Sequence, residues 1–363
     1  MASKSKDLGH EAPTSLLLTL IRSQFLTTPR RAPAPTDLTG QVAIITGASS
    51  GIGLHAARHL LSLNLSHLIL AVRNQAKGHA AAARLRGSYP DARVEVWLLE
   101  MTSYDSILAF VRRCETELNR LDITILNAGL MHLEFVRSDT GHEEILQVNY
   151  LSTFLLAILM LPVCKDKGRR DGKAGRMTIV SSGTALFAKL PNRDARPFLA
   201  SFDNTDAYPF HPPGRYFDSK MLGHMFFVRM LEYLSPEEVV VNLVEPGMVK
   251  GTGLHRDAKG MVGWVLAAWK GFWGRTLDDG AWAYVDAAVV KGGESHGCFL
   301  MDWRVHPFAK FVYQPENKDV MDALWDETLA EFEFAGVREI LAASKKRKEA
   351  PSAQGVDEEN IGE

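Results

Sequence analysis

Residues 41–63 read QVAIITGASSGIGLHAARHLLSL, and the order of residue types in this stretch decides the fold. QVAIIT, Gln41 to Thr46, is a short apolar run rich in β-branched side chains, which favours a buried strand. Gly47, Gly51 and Gly53 follow at once, and LHAARHLLSL then carries apolar residues at helical spacing. In a strand, glycine turn and helix in that order, the backbone can approach a pyrophosphate closely. The first N–H groups of the helix then face its negative charge. On this reading Gly47, Ser49, Ser50, Gly51, Ile52 and Gly53 form a phosphate cradle. The bland alternative is a flexible Gly/Ser loop, and the strand before it and helix after it argue against that.

The alternation continues along the chain. LILAV, VEVWLL, ITILN, MTIVS and VVVNLV each precede a helical or loop segment, which predicts a mostly parallel sheet with helices on both faces. No repeat of fixed period and no Gly/Pro-rich linker divides the middle, so residues 40–343 read as one domain. A chain of 363 residues, 46% of them hydrophobic, can bury a core of that size. A formal net charge of -2 gives no broad attraction to nucleic acid. Cys114, Cys164 and Cys298 are odd in number and lack paired spacing, which points to a reducing, cytoplasmic compartment without disulfides. No HExxH or Cys/His cluster accompanies the 12 histidines, so no metal is expected.

Both ends differ from this pattern. Residues 1–39 precede the first strand and contain SLLLTLIRSQFL, an apolar stretch broken by Arg22. It falls short of the roughly 20 apolar residues a membrane span needs and lacks the layout of a signal peptide. It reads as an amphipathic segment packed on the domain, with a membrane-surface anchor as the alternative. Residues 344–363, SKKRKEAPSAQGVDEENIGE, are charged and poor in large apolar side chains, and read as a disordered tail.

Two further features carry chemistry. Tyr216 and Lys220 in GRYFDSK stand four apart, on one face of a helix. The ammonium is placed there to lower a phenol pKa of about 10 toward the range where a group can both give and take a proton. An isolated pair of this kind is usually a surface tyrosine and a solvated lysine; the glycine loop upstream makes it more. At the end of the second strand AVRNQAK offers Arg73 and no acid. A guanidinium fork matches a 2′-phosphate, which favours NADP(H) over NAD.

TGASSGIG at Thr46–Gly53, NAG at Asn127–Gly129, the Ser181–Ser182 pair and Tyr216-x-x-x-Lys220 together resemble the short-chain dehydrogenase/reductase family, over roughly residues 40–300. LAVRN, QVNYLSTFLL and ESHGCFL resemble its retinol-dehydrogenase-like branch and filamentous-fungal relatives that act on natural products. The resemblance implies an α/β fold: a single Rossmann-type, doubly wound parallel sheet with helices on both faces.

It also implies roles. Tyr216 would be the general acid in reduction and the base in the reverse direction, and Ser182 would hold the reacting oxygen. Lys220 would bind the nicotinamide ribose and depress the Tyr216 pKa, and Asn149 would order a proton-relay water. Sequence does not separate Ser181 from Ser182; Ser182 is taken as the usual catalytic member. Asn127, Ala128 and Gly129 would line the nicotinamide side, and Pro246, Gly247 and Val249 would form the nicotinamide loop. Glu100 stands where the family generally has Asp beside the adenine, with Met101 contributing its backbone.

The function so implied is an NADP(H)-dependent oxidoreductase of secondary metabolism, acting on a lipophilic ketone, aldehyde or alcohol. A non-catalytic NADP-sensing protein is one alternative, but it would normally have lost Tyr216, Lys220 or the serine. A sugar-nucleotide epimerase or dehydratase is another, although that branch generally carries TGxxGxxG. Oligomeric state is open. Two stretches bear on the substrate. Residues 183–212 form an insertion with Phe187, Phe198, Phe202, Tyr208 and Phe210, which reads as an apolar pocket wall. MVGWVLAAWKGFWG carries Met261, Trp264, Val265, Ala268, Trp269 and Phe272 at helical spacing, as a lid, a membrane-facing patch or core.

Overall fold

The computed structural model describes residues 4–168, 173–252 and 274–349. Eight strands form one sheet in the order β3-β2-β1-β4-β5-β6-β7-β8. They are β1 (Val42–Thr46), β2 (His67–Val72), β3 (Arg93–Leu98), β4 (Ile123–Leu126), β5 (Gly175–Val180), β6 (Val239–Val244), β7 (Phe299–Met301) and β8 (Arg304–His306). All pairings are parallel except β7 with β8. The strand order reverses between β1 and β4, and in open sheets of this kind the crevice at the carboxyl ends beside that reversal receives ligands.

Successive residues of β1 serve opposite faces. Val42 and Ile44 join one apolar core, Ala43 and Ile45 the other. The first core packs α4 (Tyr104–Glu117), α5 (Glu144–Gly168), α6 (Pro212–Met230) and α8 (Lys318–Glu331) through Phe110, Leu155, Phe226 and Leu324. The second packs α2 (Gly51–Ser62), α3 (Gln75–Ser88) and α7 (Leu277–Val285) through Leu60, Leu85 and Tyr284. Among the described residues α5 alone is long and apolar enough to cross a membrane, and 94% of its apolar window is buried inside the domain. Its stretch Gln147–Ser152 is a π-helical turn, a distortion frequent at functional sites, and it carries Asn149.

The N-terminal segment is built into the domain. Ser15 caps α1 (Leu16–Phe25), whose Ser23 is buried with its hydroxyl donating to Asp302 at 2.7 Å. Ser5 accepts from the Phe299 N–H at 2.8 Å and donates to the His306 carbonyl at 2.6 Å, strapping the β7–β8 edge. Leu17, Leu18, Phe25 and Leu26 stay exposed.

The structure departs from the sequence reading in several places. Strands β7 and β8 are three residues each, too short for alternation to reveal. The last helix, α9 (Val337–Glu349), runs past residue 343 into the stretch read as a disordered tail; the rest of that stretch, and the Met261–Phe272 stripe, lie outside the described residues.

The insertion aromatics turn inward. Phe198 and Phe202 are fully buried, and the Arg215 guanidinium lies 5.0 Å from the Phe202 ring centroid, 4.6 Å from Tyr208 and 5.8 Å from Phe210. Burying that cation 4.0 Å from the Glu143 carboxylate needs compensation, and three aromatic faces supply it. Glu327 of α8 pins the insertion by accepting from the N–H groups of Phe198 at 2.8 Å and Leu199 at 2.6 Å. Phe202, Tyr208 and Phe210 thus pack around Arg215 and Phe198 meets Phe202 edge-on behind it, where composition suggested an apolar pocket wall.

Candidate active site

At the end of β1 the chain turns through Gly47 and Gly51, with φ of +66° and +61°, left-handed values that favour glycine. A Cβ on Gly53 would stand 2.6 Å from the Asn127 side-chain nitrogen and 3.1 Å from the Gly47 carbonyl, so the helix can start this close only with glycine there. Ser50, immediately before α2, makes no side-chain cap bond. The first N–H groups of α2 are therefore not satisfied by that side chain, as an anion site requires. Ser49 is half-buried and Ser50 exposed beside them, with Ile52 packed on the core.

Asn127 ties the glycine turn to β4. Its side-chain N–H donates to the Thr46 carbonyl at 2.7 Å, its backbone N–H to the Thr46 hydroxyl at 2.9 Å, and the Ala128 N–H to the same hydroxyl at 2.9 Å. The Tyr284 hydroxyl donates to Asn127 Oδ1 at 3.1 Å. A Cβ on Gly129 would meet Asn149 Oδ1 at 3.1 Å and Lys220 Nζ at 3.8 Å, which brings NAG, α5 and α6 to one point. Asn149 accepts from the Leu130 N–H at 2.9 Å, and its amide nitrogen lies 2.9 Å from the Leu130 carbonyl and 3.2 Å from the Ser219 hydroxyl.

The two serines at the end of β5 point to different places. Ser181 is buried, its hydroxyl 2.9 Å from His224 Nε2 of α6. Ser182 accepts from the Thr184 N–H at 3.2 Å and from the Thr184 hydroxyl at 2.9 Å, and it is hydrogen-bonded to Tyr216. Lys220 lies one helical turn on, its ammonium donating to the Val180 carbonyl at 3.1 Å and standing 5.9 Å from the Tyr216 ring centroid.

The electrostatics differ from the sequence expectation. Removal from water pushes the Tyr216 phenol up to about 12, against the pull of the Ser182 bond, and the nearby Glu245 charge pushes the same way. Burial pushes Lys220 down to about 8. In this geometry the effect of burial on Tyr216 exceeds any lowering by Lys220, and the phenol is held protonated at neutral pH.

At the far edge of the crevice, Arg73 is 52% exposed and its Nε lies 3.7 Å from Glu100 Oε2. Glu100 also accepts from the Thr102 N–H at 3.1 Å; Met101 is buried, with its carbonyl bonded by Ser152. On the opposite side Gly247 has φ of +87°, and a Cβ there would stand 2.5 Å from Arg275 Nη1. Val249 packs on Gly280 and pairs with Arg275, latching the Pro246–Val249 loop to the segment before α7. The uncapped start of α2 and the open space around Gly51 fit the pyrophosphate of a dinucleotide.

The sequence reading did not single out Glu245, Tyr284 or Arg275. Glu245 had a signal: an acid directly after the all-apolar end of VVVNLV, against the loop proline.

The chain matches the family described as short chain dehydrogenase over residues 41–192. It is 50% identical over 325 residues to the short chain dehydrogenase/reductase mfmJ of Annulohypoxylon moriforme, covering 89% of this chain and 94% of that protein. It is 40% identical over 344 residues to the short chain dehydrogenase virL of Hypocrea virens, covering 94% and 99%. Among solved structures, L-sorbose reductase from Gluconobacter frateurii, complexed with NADPH and L-sorbose, aligns with a TM-score of 0.56 at 20% identity, over 74% of this chain and 97% of that one.

Proposed function

This chain belongs to the short-chain dehydrogenase/reductase family, and we propose that it is an NADP(H)-dependent reductase of a lipophilic ketone or aldehyde in fungal secondary metabolism. The observation that carries the reading is the Ser182–Tyr216–Lys220 cluster at the carboxyl ends of the central strands, with the phenol held in its protonated form. A protonated tyrosine bonded to a serine can donate a proton to a carbonyl oxygen, whereas a base for alcohol oxidation must first lose that proton. The cluster is thus arranged to donate a proton to a carbonyl oxygen in reduction.

When bound, NADPH supplies the hydride. Ser182 holds the substrate oxygen and Tyr216 delivers its phenolic proton to that oxygen as negative charge develops on it. Lys220, anchored on the Val180 carbonyl, carries positive charge beside the phenol and binds the nicotinamide ribose. Asn149 pins the Leu130 backbone beside Lys220 through both its N–H and its carbonyl, and orders the water that returns a proton to Tyr216. The first turn of α2 receives the pyrophosphate, Arg73 the 2′-phosphate, and the Pro246–Val249 loop the carboxamide.

The NADP assignment rests on Arg73 and the absence of an acid at the end of β2; likeness to the sorbose reductase speaks for the fold alone. For the substrate, support comes from kinship with fungal enzymes. A cytoplasmic location is consistent with three free, buried cysteines. The test is a screen of lipophilic ketones and aldehydes for NADPH oxidation, with product identification. Turnover of sugar nucleotides only, or of no carbonyl substrate while NADPH still binds, would overturn the proposal.

A further inference from the structure

A buried carboxylate with no assigned task lies behind the serine. Glu245 follows β6 and is 7% exposed, with its N–H donating to the Leu300 carbonyl at 2.9 Å. Its side chain accepts from the backbone N–H groups of Gly183, next to Ser182, and Gly247, in the loop that follows it. Oε2 is buried without a hydrogen-bond partner among the described residues. A Cβ on Gly183 would lie 3.5 Å from Oε1, so the serine loop runs directly over the carboxyl group.

We propose that Glu245 is a positioning residue for the reaction: lying directly under Gly183, its buried carboxylate clamps the serine loop to the loop at Gly247 and holds a negative charge behind the serine that bonds Tyr216. The inference rests on the reading of Tyr216 as the acid. A like charge beside a phenol disfavours the phenolate, and in a dry site the effect is larger than at the surface. The overall equilibrium of the reaction is untouched; burial is the larger influence on Tyr216, and the Glu245 charge adds to it.

Four charged or titratable groups among the described residues act on or face the carboxylate. Tyr216 faces it from α6 and Tyr284 from α7, Arg275 attracts it from the segment before α7, and Asp302 repels it from the β7–β8 turn. Arg275 is mostly engaged elsewhere. It donates to Asp302 at 2.5 Å and to the Ser23 carbonyl of α1 at 2.7 Å, and it lies 4.9 Å from the Trp303 ring centroid. Asp302 and Trp303 occupy left-handed backbone at φ of 54° and 59°, strain that these contacts hold in place. With Arg275 shared in this way, burial pushes the Glu245 carboxyl up to about 7 despite it. Above that pH the group is charged and Tyr216 is held protonated into the alkaline range.

The test compares Glu245→Gln, which keeps an acceptor for the two N–H groups and drops the charge, with Glu245→Asp, which keeps the charge. Tyr216 ionisation is read from phenolate absorbance in the near ultraviolet, as the difference from a Tyr216→Phe background, and from pH profiles of NADPH-dependent reduction of an activated aromatic aldehyde. In Glu245→Gln the Tyr216 titration and the alkaline limb of reduction should move down together by about one pH unit, roughly a tenfold rise in phenolate at a given pH. Glu245→Asp should stay near the wild-type position. Unmoved titrations in both variants, or equal loss of kcat in both without a pH shift, overturn the proposal and leave a backbone clamp. Full turnover by Tyr216→Phe would instead remove the underlying reading of Tyr216, a separate outcome.

Discussion

Replacing Arg73 by Ser should weaken NADPH binding without touching NADH. The guanidinium sits at the mouth of the crevice, 52% exposed, and shares its charge with Glu100 at 3.7 Å. A charge-assisted hydrogen bond to phosphate is worth about 1.5 to 3 kcal/mol, and exposure places Arg73 in the lower part of that range. About 1.5 to 2 kcal/mol corresponds to a roughly 10- to 30-fold rise in Kd for NADPH. NADH lacks the 2′-phosphate and should bind within about twofold of wild type on the same argument. The companion variant Glu100→Gln has the opposite sign. It removes a carboxylate that competes for the guanidinium and repels an incoming phosphate, and since an exposed pair is worth less than about 1 kcal/mol, NADPH should tighten by only a few fold. Calorimetric titration of both nucleotides into wild type and the two variants reads these numbers directly. Equal losses for NADPH and NADH in Arg73→Ser, or weaker NADPH binding in Glu100→Gln, would refute the reasoning.

The two serines should separate in a single experiment: Ser182→Ala should lower kcat about 100-fold or more by removing a donor to the reacting oxygen, while Ser181→Ala, whose hydroxyl faces His224, should keep most of its turnover. Comparable kcat in the two variants would contradict the assignment. Glu327→Ala should cost about 2 to 4 kcal/mol in unfolding free energy, because the N–H groups of Phe198 and Leu199 both lose a charged acceptor. Chemical denaturation checks this, and an unchanged midpoint would show that the insertion does not depend on α8.

The features legible in the sequence are those written in neighbouring residues. Strand β1, the glycine turn and the start of α2 lie in one continuous stretch, and Tyr216 and Lys220 share a helical face whatever the rest of the chain does. What was not legible depends on residues distant in sequence. The aromatics of the insertion suggest a pocket only until Arg215 is seen buried among them, and that contact is set by tertiary packing. The π turn around Asn149 has no periodic signature of its own. Strand β7 forms because β6 and β8 supply partners on either side, with Ser5 strapping the edge, not because three residues declare a strand. The Tyr216 pKa was read from one neighbour, Lys220, whereas burial acts on it most strongly.

The central claim is that Tyr216 delivers the proton that accompanies hydride transfer to a carbonyl. It is tested most directly by single turnover of a substrate from the carbonyl screen with NADPH deuterated at the transferable nicotinamide position, in wild type and Tyr216→Phe. The account predicts that the wild type places deuterium on the former carbonyl carbon. The variant should bind the nucleotide with unchanged affinity and lose most of that transfer, at least about 100-fold in rate. Deuterium transfer at a near-normal rate in Tyr216→Phe, with nucleotide affinity unchanged, would contradict it.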